Sequence, residues 1–345
     1  MNPLLIFLLF LGFTAGDDVI DATKGQAKLG NEKTTPLPEI EDSAGPEVAN
    51  AIEKIELIAA SAEKSRREGI LPEEHSEELY DVMVDTLVDL IEIVKNPQNT
   101  YRFLNKKGVD RIITPIIGIN YDPLKKQFLL LIKTLFKVTP TTTKALMPAS
   151  VVDKLLDIFV NDDNLSLKAH AVDIMDVWLP ENPKLQARVM RLQGLEPFYH
   201  QVSKLDNSVV ETLLGLFNKI LSEHVNARSN RAQKTKGDFE ELRLYEIIGL
   251  IERMSTPTVC YGLLNIIEAF SPLDEDQPFP LTIFELLKNI KPFCLNTYRG
   301  RAQAIKVFGD LANFISNRKE SFRNLTDFRI LLEDYVKYIR VKDEF

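Results

Sequence analysis

The chain has 345 residues, 45% of them hydrophobic, with 50 acidic against 42 basic side chains and a formal net charge of −8. That balance excludes a general nucleic-acid binder, which carries a basic excess. Two cysteines, Cys260 and Cys294, are too few for a disulfide scaffold, and low glycine with abundant Leu and Ile is the composition of an all-helical protein.

The first element is an apolar run, LLIFLLFLGF, at residues 4–13. A membrane helix needs about 20 such residues, so this run is too short to span. Small residues follow, then Asp17 and Asp18, which fits a secretory signal peptide over 1–16 cleaved after Gly16. A short N-terminal core helix is the alternative. No later run of this kind lacks charges, so no membrane segment is expected once the signal is removed. Residues 17–48 are acidic and carry Pro36, Pro38 and Pro46 with few apolar residues. Such a leader cannot bury enough surface to offset its ordering entropy and is expected to be disordered.

Helical periodicity begins near Glu47. Val48, Ile52, Ile55, Ile58, Ala59 and Ala62 recur at three and four, and Leu79, Met83, Leu87, Leu90 and Val94 form a second stripe that Asn96-Pro97 ends. Residues 49–98 are therefore read as N-terminal capping helices.

Residues 99–223 repeat at an offset of 43. Val109, Val152 and Leu195 align, as do Ile112, Leu155 and Phe198; Ile113, Leu156 and Tyr199; and Ile116, Phe159 and Val202. Past a polar break the register continues with Leu124, Leu167, Val210; Phe128, Ala171, Leu214; Leu131, Ile174, Phe217; and Leu135, Trp178, Leu221. At this apolar content one such column arises by chance roughly one time in ten, so eight in register without a gap are a true repeat. The fold expected is an all-α, armadillo/HEAT-like α-solenoid of about four repeats with helical caps. Gly108 and Gly194 stand one residue before the first column and are read as sharp turns into each unit. Residues 224–238 are read as a basic loop. Residues 239–341 hold a fourth repeat and a C-terminal helical cap, with helices over LTIFELLKNIKPF and RGRAQAIKVFGDLANFISN and an acidic loop, SPLDEDQPFP, before them.

No catalytic constellation is visible. His75, His170, His200 and His224 share no metal-like spacing with each other or with cysteine, and the nucleotide-loop and nucleophile-elbow motifs are missing. No metal or cofactor is expected, and no enzyme. The acid pairs Glu73–Glu74 and Asp162–Asp163 read as solvated turn residues and helix caps. Trp178 reads as core. Cys260 and Cys294 read as two buried thiols, with a bridge between them as the alternative. Asn164-Leu165-Ser166 and Asn324-Leu325-Thr326 are sequons that permit glycosylation at Asn164 and Asn324. The tail Lys342-Asp343-Glu344-Phe345 matches three of four positions of a KDEL-type retrieval signal.

The unit GVDRIITPIIGINYDPLKKQFLLLIKTLFK (108–137) and its neighbour NDDNLSLKAHAVDIMDVWL resemble armadillo units of the nucleotide exchange factors of seventy-kilodalton heat-shock chaperones. The resemblance covers roughly residues 75–345. With a signal peptide, an acidic leader and a retrieval-like tail, the chain resembles the lumenal branch, which serves the endoplasmic reticulum chaperone BiP. Some relatives carry an N-terminal redox cysteine pair, whereas this chain has no cysteine before Cys260. The resemblance implies a monomeric lumenal protein that clasps the ATPase domain of BiP and promotes ADP release, supporting folding and translocation. An adaptor for another protein or peptide is the alternative.

In an armadillo array the long final helix of each unit makes the concave face. Counting along from Leu124, Leu167 and Val210 gives Gln127, Leu130, Thr134; His170, Asp173, Val177; and Leu213, Leu216, Ile220, with Lys133, Lys137 and His224 near the same edge. The expected partner-binding residues are Gln127, Lys133, Thr134, Lys137, His170, Asp173, Val177 and Leu216.

Overall fold

The computed structural model describes residues 46–67, 73–192, 200–229, 236–269, 281–317 and 325–340. The signal peptide, most of the leader, Gly194, Leu195, Phe198, Tyr199, the SPLDEDQPFP segment, Asn324 and the tail lie outside the described residues. Every regular element among the described residues is helical, so the protein is all-α.

The helices are α1 (Pro46–Arg67), α2 (Glu73–Val94), α3 (Pro97–Asn105), a π-helical turn (Val109–Ile113) running into α4 (Thr114–Ile116), α5 (Asp122–Val138), α6 (Pro140–Leu146), α7 (Ser150–Asn161), α8 (Leu165–Trp178) and α9 (Pro183–Leu192). After a single 3-10 turn (Val202–Lys204) come α10 (Asn207–Ser229), α11 (Lys236–Ile248), α12 (Leu250–Met254), α13 (Pro257–Ala269), α14 (Leu281–Tyr298), α15 (Ala302–Asn317) and α16 (Leu325–Ile339). The long helices pack in chain order, α1 on α2, α2 on α5, α5 on α8, α8 on α10, α10 on α14, and α14 on α16.

The apolar columns explain that packing. All eight residues of the first row and all eight of the second are buried. In the third row Val202, Val210, Leu214 and Leu221 are buried and Phe217 packs against the core. Each fully buried Leu, Ile or Phe contributes about 1.5–3 kcal/mol, which is what holds one helix against the next. Trp178 is buried in the core, its ring centroid 5.8 Å from that of Phe136.

Several local expectations are corrected. Gly108 is not a turn residue: its φ of −55° is ordinary right-handed helix, and the left-handed residue is its neighbour Lys107. Glycine is needed because a Cβ there would sit 2.3 to 2.6 Å from three ring atoms of Phe103. Asn96-Pro97 ends α2 and also starts α3, since Asn96 accepts from the Gln98 amide at 2.9 Å and Pro97 occupies the first turn. The helix expected to end at Phe293 continues to Tyr298 through Pro292. The segment expected to loop from residue 224 is helical to Ser229, because His224 is buried on α10 rather than solvated. Cys260 and Cys294 are fully buried but bridged, joining α13 to α14. Asp162 accepts from the Asn164 amide at 2.9 Å but is not solvated, since its side chain is buried against Lys125 at 2.7 Å.

Candidate functional site

Three helices bring the site together. α5 starts at Tyr121 in extended backbone, with Asp122 in the first turn and Lys137 in the last, both favourable to the helix dipole. α8 is capped by Asn164, whose side-chain oxygen accepts from the amides of Ser166 at 3.0 Å and Leu167 at 3.4 Å. The Asn164 Nδ2, the atom a glycan would occupy, donates to Asp122 at 2.8 Å and so ties the start of α8 to the start of α5.

On the faces that α5 and α8 leave uncovered lies a groove of about 630 Å³. Of the expected partner-binding residues, Lys133, Thr134, Lys137, Asp173 and Val177 line it. His170 stands at its side, Nδ1 3.4 Å from Lys133 Nζ. Gln127 is half-buried on α5 and does not line it. Leu216 does not belong there at all: α11, α12 and α14 cover α10, and Leu216 is buried with Leu213 in the wall of a partly open apolar cavity. His224, expected near the same edge, is buried in that wall as well.

Sequence reasoning missed Asp176 and Thr212, which also line the groove. The 43-residue offset carried a signal for Asp176, because Lys219 stands that far on and donates to both its oxygens at 2.8 and 2.9 Å.

The electrostatics leave the groove open to exchange of partners. Lys133 donates to Asp173 at 2.7 Å, and both side chains are more than a third exposed. Such a pair is worth under about 1 kcal/mol, so opening it costs little. Thr134 satisfies its hydroxyl on the Leu130 carbonyl at 2.9 Å. Among the described residues Lys137 has no ion-pair partner and is exposed. Burial, and after it the Lys133 ammonium, hold His170 below its ordinary 6.5, so its imidazole is neutral at pH 7. Beside Val177, exposed at 42%, the groove offers a mixed surface of apolar, cationic and anionic groups. That is the make-up of a protein-contact surface.

A second, polar recess of about 450 Å³ lies at the α5–α8 junction, lined by Asn120, Asp122, Lys125, Asp157, Asp162 and Asn164 among others. Its Lys125–Asp162 pair is nine-tenths buried, and Lys168, 43 residues after Lys125, is buried against Gln201 at 2.7 Å. Burial lowers the Lys168 pKa. These lysines join successive helices rather than face a ligand. Among the described residues no group of three or more His, Cys, Asp or Glu could hold a metal ion, and no helix is long and apolar enough to cross a membrane.

The fold and groove define an all-helical protein with an ion-paired surface shared by successive long helices. No protein-family model and no curated protein matches the chain.

Proposed function

We propose that this protein is a nucleotide exchange factor for the endoplasmic reticulum chaperone BiP, built as an armadillo-like α-solenoid of about four repeats between helical caps. It acts by binding, without a cofactor and without catalysis of its own. The groove across α5 and α8 is the observation that carries the reading. Five of the eight residues expected from the 43-residue offset, Lys133, Thr134, Lys137, Asp173 and Val177, line this groove, which supports reading it as a contact surface. The packing of α2, α5, α8 and α10 in chain order supports the solenoid. The buried Cys260–Cys294 bridge suits an oxidising compartment, in keeping with a signal peptide and a lumenal address.

The mechanism follows from linkage. A protein that binds the open form of the chaperone's ATPase domain better than the ADP-closed form shifts the population towards open, and ADP leaves faster. Reciprocity then requires nucleotide to weaken the complex by the same factor. Calorimetric titration of this protein into the BiP ATPase domain tests both halves. Tight binding without nucleotide, weakened by saturating ADP or ATP and by Lys137→Glu, is the expected result. Binding indifferent to nucleotide would replace the exchange factor with an adaptor, and no binding would remove BiP as the partner.

A further inference from the structure

Between α9, α10, α12 and α13 lies a partly open apolar cavity, lined by Val189, Leu213, Leu216, Ile220, Leu263 and Ile266 among others. Among the described residues, Gln186 and His224 are the polar side chains in its wall. His224 is fully buried, its ring centroid 4.4 Å from that of Tyr245. The hydrogen bonds fix its tautomer. Gln186 uses both amide hydrogens, donating from Nε2 to the Leu179 carbonyl at 3.0 Å and to Glu223 Oε2 at 2.9 Å. Its Oε1 is therefore free only to accept, and it lies 3.0 Å from His224 Nε2. Nε2 must carry the proton, which leaves Nδ1 as a bare lone pair. Among the described residues Nδ1 has no partner.

A buried acceptor without a donor costs about 1–3 kcal/mol. A single water is a poor remedy, since buried waters need two to four polar partners and, among the described residues lining the cavity, His224 Nδ1 is the one unsatisfied atom. A molecule that pairs Nδ1 while keeping the rest of the wall dry is a better one. We propose that the cavity is a binding site for a small neutral molecule with an apolar body and one hydrogen-bond donor, of the aliphatic alcohol class. The free volume, about 70 Å³, is roughly half that of an apolar cavity known to hold benzene, which limits the occupant to about three to five non-hydrogen atoms. The site is separate from the groove and does not depend on the exchange-factor reading.

The probe is a pair of molecules alike in size, 2-propanol as donor and acetone as acceptor only, titrated into the full chain with labelled methyl groups and labelled histidine. Saturable shifts of the Leu213, Leu216, Ile220 and Ile266 methyls are expected. So is affinity for 2-propanol at least tenfold above that for acetone, with an upfield move of the His224 Nδ1 nitrogen resonance as it gains a hydrogen bond. Leu216→Phe, which fills the space, should abolish the shifts; if that variant does not fold, the paired titration of the native protein decides alone. Shifts that do not saturate, equal affinity for the two probes, or a His224 resonance showing the proton on Nδ1 would each overturn the proposal.

Discussion

Removing the Cys260–Cys294 bridge should weaken the C-terminal half far more than the rest. The bridge spans 34 residues of chain between α13 and α14, and both sulfurs are fully buried. A cross-link closing a loop of this length restricts the unfolded chain by an entropy worth about 4 kcal/mol at room temperature. Cys260→Ala with Cys294→Ala should therefore lower the stability of the helices around it by about that amount, with a further loss from the two vacated volumes. The single tryptophan, Trp178, lies in α8, outside the two bridged helices, and reports on the packing of α8 against Phe136 of α5. Urea unfolding followed by far-ultraviolet circular dichroism and by Trp178 fluorescence separates the two regions. The expected outcome is a helical transition in the double variant, and in the native protein under reductant, that begins well before the Trp178 transition. Unfolding curves that superimpose with and without reductant would refute the reasoning, as would two free thiols titrated in protein purified without reductant.

Three further outcomes follow. Gly108→Ala should cost about 1–3 kcal/mol by overpacking against Phe103, although alanine is the better helix former; Phe103→Leu in the same chain should recover part of that loss in urea titrations. Arg188 holds the Asp153 carboxyl below its ordinary 3.8, so their pair stabilises above that pH and the contribution fades as pH falls through the lowered value; the stability difference between native protein and Arg188→Gln should shrink towards zero in acid. Burial, and then Arg228, hold His224 at about 4 against an ordinary 6.5. The unfolded chain then binds the extra proton first, so stability is full above pH 6.5 and falls by about 3 kcal/mol towards pH 4. Glu223, raised by burial, contributes with the opposite sign, and Glu252 faces His224 with Arg228. Comparing the pH slopes of native protein and His224→Phe isolates the imidazole, and equal slopes would contradict its assignment as a buried neutral base.

The core was legible because burial leaves a periodic trace. Leu124, Phe128, Leu131 and Leu135 are apolar at the spacing of a helix face, and the same spacing recurs 43 residues later in Leu167, Ala171, Ile174 and Trp178, all of them buried. The groove was legible for a related reason: positions counted from those anchors point away from the core as long as each helix is covered alike. That condition holds on α5 and α8 for Leu130, Thr134, Asp173 and Val177 but not for Gln127, and it fails for α10, where extra helices bury Leu213, Leu216 and His224. Nothing local to His224 marks it as interior, since it sits in a polar run and its burial depends on Gln186, 38 residues earlier. The same holds for Asp162, which reads as a turn acid until Lys125 is brought to it across the junction. Two cysteines on different helices carry no record of their distance, so the sequence favours two buried thiols where the fold forms a bridge. Gly108 was assigned to the right place for the wrong reason, because a sequence shows that a side chain is missing but not which neighbour requires it.

The central claim is exchange, and release of bound nucleotide measures it directly. BiP is loaded with a fluorescent ADP, mixed with this protein and an excess of unlabelled nucleotide, and followed by stopped flow. Release should accelerate with dose and saturate, and Lys137→Glu or Asp173→Ala should weaken the effect by about tenfold, the cost of one good interface contact. Release at the unassisted rate, from BiP shown to be active, would contradict it.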